Sequence, residues 1–595
     1  MSIASFWRTW QRQALTTLGL LVATLVLLFL QTPGFGPAFI QRNGAYEPVT
    51  LPFRTFPPRP EAYQLRVTVR SPWIGPTLVR MTPDDCVTKL SLNQRPIGLG
   101  GIDDKCDYNF GFVIELPTRR GENVLDIAVE NRGGAGGLEL SPAYAGMGRA
   151  CGAGAVAFLL ALIFALARGL GLTPMARVAA VAGLLLRVVY MSQTPWFVRA
   201  HDVDGHLEYV QRMLNRFVVP KIDACWECYH PPTYFGFAAI WVRVAQALRV
   251  PMTPALQWLA LSCSSVFLLL GLAAVQTALA VARPARRSVV VTTLAAFLFA
   301  LWPAAIVHAP RLGNDPPFYA LAAVSTALMF IWWQDRRTPF AVASLVVAGF
   351  ATLTKSSGFA LVAANCIVVF VGVVTENDRS ERSRDWRTLI VSAIAAIVSV
   401  APPLVLALVR SRLTGRDVLV SNISDTNRGL LVANTATTYL YAPAHIWFEQ
   451  PFTDPWHDDK GRGYYWTYLG KTSLFGEFDL GADPTRRAIA VVLSVLLLVL
   501  VALLIRALVR ATRADALWAV PLFVWIAASA AFRARYPVAP SADFRYVLPV
   551  LIPLCVGIAR GLEDIQNIKV SLLSGTSVVA FTVLSCILYA TIGLP

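Results

Sequence analysis

The chain has 595 residues, of which 55% are hydrophobic and only 15% are charged, and its mean hydropathy is +0.54. A soluble globular domain averages about 25% charged residues, so the composition excludes a purely soluble protein. The formal net charge is +16, but the arginines stand at the ends of apolar runs, where membrane topology requires them. The totals therefore predict a polytopic membrane protein in contact with lipid, and they argue against a nucleic-acid partner.

The first apolar run covers residues 14–30 and follows Arg8 and Arg12. A cleaved signal peptide is the alternative to a membrane helix. The run is long, however, and residues 31–34 lack the small-x-small pattern of a cleavage site. We expect an uncleaved helix in the first segment, residues 1–40, with a cytoplasmic N-terminus.

Residues 45–145 have a different character, with many charges, prolines and glycines. Leu65, Val67 and Val69 alternate with polar residues, and residues 110–116 and 125–129 show the same period of two. Such short alternating strands predict a jelly-roll-like β-sandwich, inserted between the first two membrane helices. Residues 121–131 resemble a strand of the sugar-binding modules attached to glycoside hydrolases. The domain is thus expected either to bind glycan or to brace the membrane part.

Twelve further apolar runs approach the length of about 20 residues that a membrane crossing requires. They lie near residues 152–167, 178–195, 254–281, 288–308, 317–334, 339–353, 357–375, 388–410, 486–505, 515–532, 547–562 and 570–592. Together with the first helix they make thirteen predicted spans. Alternation from a cytoplasmic start leaves the short basic loops inside, as the positive-inside rule requires.

The same alternation defines the remaining segments. Residues 150–410 form the first part of the membrane core and contain an outer loop at 196–253. Residues 411–485 form a large outer segment, and residues 486–595 are the C-terminal helices. Aromatic and acidic residues are interleaved in the 411–485 segment, which indicates either a lid that binds sugar or an anchor at the membrane interface.

Four of the nine cysteines fall in the outer segments, where disulfides form. We predict one bond between Cys86 and Cys106 and another between Cys225 and Cys228. Zinc held by the second pair with His230 is the alternative. A single Cys-x-x-Cys pair carries little weight as a metal motif, since structural zinc sites usually have four ligands.

The most polar part of the outer loops is residues 201–234. It contains Asp202 and Asp204, then Glu227, and then His230 in a His-Pro-Pro-Thr-Tyr sequence that ends at Tyr234. Charged groups at a membrane surface resist desolvation, so such a cluster predicts an active site. The alternative is a solvated loop in which an aspartate caps a helix.

Other polar residues occur where apolar runs meet outer loops. They are Arg311 with Asn314 and Asp315, Lys355 after Thr354, and Asp543 with Arg545 and Tyr546. Taken singly, Lys355 and Arg545 are explained by snorkelling, and Asn314 or Asp543 by helix capping. Taken together, they supply a carboxylate base and fixed positive charges, which suit a lipid substrate that carries phosphate.

Residues 175–565 resemble the GT-C glycosyltransferases, polytopic enzymes that take sugar from a polyprenyl-phosphate carrier, such as protein mannosyltransferases and aminoarabinose transferases. The matching motifs are Asp202-Val203-Asp204, His230-Pro231-Pro232-Thr233-Tyr234, Asn314-Asp315, Thr354-Lys355 and Arg545-Tyr546. Val203 stands where the family usually has glutamate, which leaves open which aspartate is catalytic.

The resemblance implies inverting sugar transfer from a polyprenyl-phosphate donor to a glycan, lipid or protein acceptor. The site is expected at the periplasmic face of a bacterial inner membrane. Asp202 is then the general base and Asp204 a supporting catalytic residue. The implied substrate-binding residues are Glu227, His230, Tyr234, Arg311, Asp315, Lys355, Arg545 and Tyr546. Some members use a divalent ion, here Mg²⁺ or Mn²⁺, for which Asp202, Asp204 and Asp315 are the candidate ligands.

Two other classes of function fit parts of the same pattern. One is a transporter or flippase for a lipid-linked sugar, and the other is a glycan-binding assembly protein without catalysis. A transporter places ionisable groups near the middle of the membrane. Here the ionisable groups gather at the outer ends of the spans, and Arg187 is the main exception.

Overall fold

The structure is a computed structural model that describes residues 3–42, 44–55, 60–99, 105–107, 111–132, 136–200, 202–282, 288–374, 382–414, 428–481, 483–563 and 565–592. His201, part of the predicted polar stretch, lies outside these residues. The chain divides into two compact units. One consists of Trp7–Ala165 and Ile240–Leu256, and the other of Met1–Phe6, Leu166–Ala239 and Gln257–Pro595.

The first unit contains the β-sandwich. The strands of its described part are β1 (Gly34–Arg42), β2 (Ala45–Val49), β3 (Phe53–Thr55), β4 (Glu61–Arg70), β5 (Thr77–Pro83), β6 (Cys86–Leu92), β7 (Arg95–Pro96), β8 (Lys105–Cys106), β9 (Phe112–Leu116), β10 (Glu122–Asn131) and β11 (Gly136–Pro142). One antiparallel sheet has the order β2-β1-β4-β10-β6-β7, with β8 paired to β6. The other has the order β3-β11-β5-β9.

The period-two pattern produces the core of this sandwich. Leu65, Val67 and Val69 of β4 are fully buried, and they pack with buried residues of the second sheet such as Val79 and Met81. The residues between them point to the other face, where Arg66 forms an ion pair with its cross-strand neighbour Asp126 at 2.6 Å. The predicted β-sandwich is confirmed.

The sandwich begins earlier than predicted, at Gly34 rather than at residue 45. Strand β1 pairs with both β2 and β4, and its register shifts between Phe35 and Ala38. Two glycines and Pro37 occupy this part of the strand. Glycine and proline are depleted in strand interiors, so they hide the alternation that predicts a strand.

The α-helices of the described residues are α1 (Ile3–Leu30), α2 (Met147–Gly169), α3 (Pro174–Ser192), α4 (Val203–Arg216), α5 (Thr233–Ala247), α6 (Met252–Ala282), α7 (Val289–Ala300), α8 (Pro303–Val307), α9 (Asp315–Asp335), α10 (Thr338–Thr354), α11 (Gly358–Val374), α12 (Arg382–Thr414), α13 (Ala436–Leu440), α14 (Ala444–Glu449), α15 (Tyr465–Phe475), α16 (Pro484–Val509), α17 (Ala516–Arg535), α18 (Leu551–Glu563) and α19 (Ile568–Ala590). A 3₁₀ segment, Phe544–Val550, leads into α18.

Within the described residues, nine helical segments are long and apolar enough to cross a membrane. They are Met147–Gly169, Pro174–Ser192, Met252–Val281, Asp315–Asp335, Trp386–Arg412, Pro484–Val509, Arg513–Arg535, Ala539–Glu563 and Ile568–Ala590. Four shorter apolar helices, Leu15–Leu30, Val289–Ala300, Thr338–Thr354 and Gly358–Val374, coincide with the remaining predicted spans. The prediction of a polytopic α-helical membrane protein is confirmed.

The structure divides one predicted span. Helix α7 ends at Ala300, and the short helix α8 starts afresh at Pro303, so residues 288–308 are not one continuous helix. Proline has no N–H to continue the hydrogen-bond ladder but is favoured in the first turn of a new helix. Trp302 is in the short link between the two helices, and its buried indole donates to the Ser473 carbonyl at 2.9 Å.

Candidate active site

Asp202 directly precedes α4 and has a left-handed backbone conformation, with φ 59°. Its side chain makes no capping hydrogen bond to the helix, so the alternative of a helix-capping aspartate is wrong for this residue. Instead, one carboxylate oxygen accepts a hydrogen bond from the Trp226 indole at 3.4 Å. The other oxygen lies 3.6 Å from a guanidinium nitrogen of Arg545. The carboxylate is thus oriented from both sides and remains 36% exposed.

Asp204 lies in the first turn of α4 and is exposed. Asp202 precedes the helix with a left-handed backbone, whereas Asp204 is part of the helix. The buried face of α4 carries His206 and Tyr209. Asp204 therefore lies away from the buried face of α4.

Glu227 is 2% exposed and lies beside two histidines. Its Oε2 atom is 2.7 Å from Nε2 of His230 and 3.9 Å from Nδ1 of His206. Burial lowers the pKa of His206 to about 4, against the opposing effect of Glu227, so this imidazole is neutral at pH 7. Helix α4 can pack this closely against Glu227 because residue 205 is glycine. A Cβ at that position would lie 2.7 Å from Cγ of Glu227.

The loop that carries Glu227 is held at two further points. Cys225 and Cys228 form a disulfide, which leaves no thiolate for the zinc alternative. The other predicted disulfide, Cys86–Cys106, is formed in the β-sandwich. Arg410 of α12 donates to the carbonyl oxygens of Cys228, Tyr229 and His230. Arg410 was not among the predicted site residues, because its contacts are with backbone carbonyls of a distant loop, which leave no motif in the sequence.

Lys355 and Asp315 form a buried ion pair between the ends of two helices. Asp315 is the first residue of α9, and Lys355 follows the last residue of α10 in an extended conformation. The Lys355 ammonium bonds to the Asp315 carboxylate, and it lies 4.6 Å from the centroid of the Tyr546 ring. Burial lowers the pKa of Lys355, and the charge of Asp315 opposes that effect. Lys355 is 4% exposed, so the snorkelling alternative is wrong for it.

Arg545 is the centre of a second buried cluster. Its Nε atom is 3.0 Å from Asp543, and Nη2 is 3.6 Å from Asp202 and 4.0 Å from Glu477. Nη2 also donates to the Tyr546 hydroxyl at 3.2 Å. Arg545 is 5% exposed, which rules out snorkelling here as well. One guanidinium thus lies within 4.0 Å of three carboxylates, and that of Asp202 is the most exposed of them.

Glu477 is a member of this cluster that the sequence analysis missed. It is 4% exposed and follows Gly476, which ends α15 with a φ of 63°. The Tyr468 hydroxyl donates to its carboxylate at 2.6 Å. The signal in the sequence is a single carboxylate between Phe475 and Phe478, a setting in which an unpaired charge is costly.

These clusters border a cavity of about 760 Å³, within the range of about 300–1,000 Å³ that is typical of ligand pockets. Six predicted site residues line it, namely Asp202, Glu227, His230, Lys355, Arg545 and Tyr546. The wall also includes residues that were not predicted: Trp226, Tyr229, Ser356, Ser357, Trp456, Glu477, Trp525, Phe532 and Arg535. Tyr229 keeps its proton as a donor, because burial raises its pKa well above 10.

The other four predicted residues lie outside the cavity wall. Asp204 is exposed on α4, and Tyr234 is buried in the first turn of α5. Arg311 is 5% exposed, and Asp315 reaches the wall only through its ion pair with Lys355. These positions fit supporting functions better than direct substrate contact.

The predicted divalent-ion site is not formed by these residues. In the part of the chain that the structure describes, no three histidine, cysteine, aspartate or glutamate side chains are grouped as metal ligands. Asp202, Asp204 and Asp315 in particular do not meet, because Asp204 is exposed and Asp315 is paired with Lys355. The residues present do not fit a bound Mg²⁺ or Mn²⁺.

No protein-family model matches the chain, and no curated protein matches it. Among solved structures it is similar to the Archaeoglobus fulgidus oligosaccharyltransferase in complex with Zn and sulfate, to ArnT from Cupriavidus metallidurans bound to undecaprenyl phosphate, and to the arabinosyltransferase EmbB from Mycobacterium smegmatis. Two of these three are named as sugar-transferring enzymes.

The identities to these proteins are 13%, 16% and 12%, and the TM-scores are 0.39, 0.29 and 0.34, in the same order. The matches cover 70%, 65% and 98% of this chain. In turn, the chain spans 53%, 77% and 64% of the length of the three proteins. At these TM-scores the similarities do not decide the activity of this chain.

Proposed function

We propose that this protein is a membrane glycosyltransferase that moves a sugar from a polyprenyl-phosphate donor to an acceptor, with inversion and with Asp202 as general base. The observation that carries the proposal is the oriented carboxylate of Asp202 in a cavity that also contains Lys355 and Arg545. The proposed side is the periplasmic face of a bacterial inner membrane, as the short basic loops predict.

The reaction requires one proton transfer and one substitution at carbon. The acceptor hydroxyl gives its proton to Asp202, and its oxygen bonds to the anomeric carbon from the face opposite the phosphate. The bond between that carbon and the phosphate oxygen breaks, and polyprenyl phosphate leaves with the electron pair. Because phosphate is a good leaving group, the protein contributes mainly orientation and charge stabilisation.

Lys355 and Arg545 are the proposed phosphate contacts. Each already contacts a carboxylate, Asp315 for the lysine and Asp543 for the arginine, so neither acts as a free cation. An ammonium group has three N–H donors, and the bond to Asp315 uses one, which leaves donors for phosphate. The aromatic wall, which includes Trp226, supplies flat surfaces for a sugar or for the start of the polyprenyl chain.

No contact among the described residues favours the two alternative functions, a transporter for a lipid-linked sugar or a glycan-binding assembly protein. Arg187, the ionisable residue within a span, donates to the carbonyl oxygens of Gly183 and Ala300 and to the Ser264 hydroxyl. These contacts join three helices and support a packing function better than a transport pathway.

The direct test is Asp202→Asn, which keeps the shape of the side chain but removes the proton acceptor. Sugar transfer from a polyprenyl-phosphate donor should fall by about 10²–10⁴-fold, with donor binding nearly unchanged. Asp204→Asn is the matched control, because Asp204 lies two residues away and outside the cavity wall. Near-normal transfer by Asp202→Asn would remove the general base from the proposal, and an inactive Asp204→Asn would move it to Asp204.

A further inference from the structure

The loop between β4 and β5 is fixed to the end of the first membrane helix. The backbone N–H groups of Trp73 and Ile74 donate to the carbonyl oxygen of Leu30, the last residue of α1, at 2.9 and 3.0 Å. The last carbonyls of a helix have no partner within the helix, so this loop supplies donors that the helix end requires. One end of the sandwich is therefore held at the point where α1 ends.

That point coincides with the start of the next membrane helix. The Thr32 hydroxyl donates to the Leu28 carbonyl and lies 2.9 Å from the Tyr144 hydroxyl. Tyr144 comes shortly before Met147, where α2 begins. The end of α1 and the start of α2, two apolar helices that follow one another in the chain, thus lie at one level.

At this level the loop exposes large apolar side chains. Trp73 is 70% exposed, and Ile74 is 45% exposed. Ile240, Val244 and Leu248, which follow one another at intervals of four residues along α5 and just after it, are also about half exposed. Tryptophan is enriched where one side of a ring contacts lipid and the other contacts water.

Positive charge accompanies these apolar residues. The guanidinium carbon of Arg249 lies 5.9 Å from the centroid of the Trp73 ring and 5.6 Å from that of Phe29. The neighbouring loop carries Arg119 and Arg120, both exposed, and it is joined to the Trp73 loop by the bond from the Ser71 N–H to the Gly121 carbonyl at 3.2 Å. Anionic phospholipid headgroups attract arginines placed at the membrane surface.

We propose that this end of the β-sandwich is a docking surface for an anionic phospholipid bilayer. Trp73 and Ile74 enter the boundary between headgroups and acyl chains, while Arg119, Arg120 and Arg249 contact the headgroup phosphates. The surface is continuous with α1 through the bonds to Leu30, which places lipid, rather than a soluble partner, against it. This inference does not depend on the proposed sugar transfer.

The first test measures whether Trp73 contacts lipid in the full-length protein. The protein and Trp73→Phe are placed in nanodiscs whose acyl chains carry bromine, and the difference between their emission spectra isolates Trp73. A second variant, Trp73→Phe with Tyr46→Trp, provides the control. Tyr46 pairs with Gln41, which lies seven residues along β1 from Gly34. Seven strand residues span about 23 Å, so position 46 is far from the end of α1.

Trp73 should be quenched by the brominated lipid at least twofold more than the control tryptophan at position 46. Equal quenching at the two positions would overturn the proposal, and so would an unquenched Trp73, which would indicate that water or a protein covers this surface. Both comparisons use conservative aromatic exchanges at exposed positions, so they do not depend on a destabilising substitution.

The second test examines the preference for anionic lipid. In the wild type, quenching of Trp73 should increase when anionic phospholipid replaces zwitterionic phospholipid in the nanodisc. Arg119→Gln with Arg120→Gln should remove this dependence. Lys89→Gln with Arg132→Gln, which removes the same charge from positions near the other end of β10, should retain it. Loss of the dependence in both double variants, or its absence in the wild type, would contradict an anionic-lipid surface.

Discussion

The ammonium group of Lys355 is bonded to the carboxylate of Asp315, and both side chains are buried between the end of α10 and the start of α9. The residues that precede this pair in sequence are also in contact, because the Asn314 side chain donates to the Thr354 carbonyl at 3.3 Å. This second bond holds the two helix ends together. This pair supports one side of the cavity, and its charges are matched only while both residues are present.

Lys355→Met should destabilise the protein strongly, because it leaves the Asp315 carboxylate buried without a partner. Removal of one member of a buried pair costs about 3–5 kcal/mol. Lys355→Met combined with Asp315→Leu should recover much of this stability but should not recover donor binding. Thermal unfolding in detergent and the donor KM measure the two effects separately.

The exposed pair Arg212–Glu208, at 2.6 Å and with both side chains 44% exposed, is the control for this prediction. A surface pair contributes about 0–1 kcal/mol, so Arg212→Met should change the unfolding temperature little. Equal effects of Lys355→Met and Arg212→Met would show that the buried pair has no special importance.

Gly205→Ala should reduce activity through the position of Glu227. Alanine usually stabilises a helix by about 1 kcal/mol relative to glycine. In α4, however, the added Cβ would lie 2.7 Å from Cγ of Glu227 and 3.3 Å from Cβ of Trp226, so the loop must move. We expect a loss of transfer activity of about tenfold or more, since small misplacements in an active site have effects of this size.

Gly236→Ala in α5 is the matched control for the Gly205 substitution. The Cβ added there would have its nearest contact at 3.5 Å, with the flexible end of Met213, which is an ordinary van der Waals distance. That variant should retain normal activity and equal or greater stability. If Gly205→Ala transfers sugar as well as Gly236→Ala, the close packing of α4 on the Glu227 loop does not matter for the reaction.

The proposed orientation has its own test. Short epitope tags after Asn93, Arg336, Leu440 and Ala511 should be accessible from outside, inside, outside and inside, respectively. The expectation follows from the basic loops, which the positive-inside rule assigns to the cytoplasm. Protease or antibody access in intact spheroplasts provides the measurement. A cytoplasmic tag at position 440 would place the large polar segment, and with it the proposed site, on the wrong side.

The architecture could be predicted from the sequence, because the hydrophobic period of a strand and the length of an apolar run are local signals. Apolar runs long enough for a bilayer indicate membrane helices, and the alternation of Leu65, Val67 and Val69 indicates a strand. The exceptions are also local in origin. Glycines and Pro37 conceal β1, and Pro303 divides a run that hydropathy alone presents as one helix.

The candidate site was predicted only in part, because its contacts join segments far apart in the chain. Asp202, Lys355 and Arg545 were identified as candidates because each stands at the end of an apolar run. Glu477 and Arg410 were missed, since the first depends on packing around Tyr468 and the second on backbone carbonyls of another segment. Asp204 was assigned from the motif, whereas in the structure it is exposed on α4 and does not line the cavity.

His206 should make the stability of the protein depend on pH. Its folded-state pKa of about 4 is below the unfolded value of about 6.5, because burial disfavours the charged imidazole. The unfolded chain therefore binds a proton over this interval that the folded protein does not. The stability from neutral His206 is fully present above about pH 6.5 and is lost as the pH falls toward 4, by about 3 kcal/mol in total.

His206→Gln should remove this contribution, because glutamine does not titrate. Unfolding temperatures measured in detergent from pH 7.5 to 4.5 should then fall less steeply for the variant than for the wild type. His457→Gln is the control. It is the same substitution, but the His457 side chain is 59% exposed. Its unfolding temperature should follow the wild-type pH dependence. A His206→Gln curve parallel to that of the wild type would mean that another group, such as one of the buried carboxylates near Arg545, causes the loss of stability in acid.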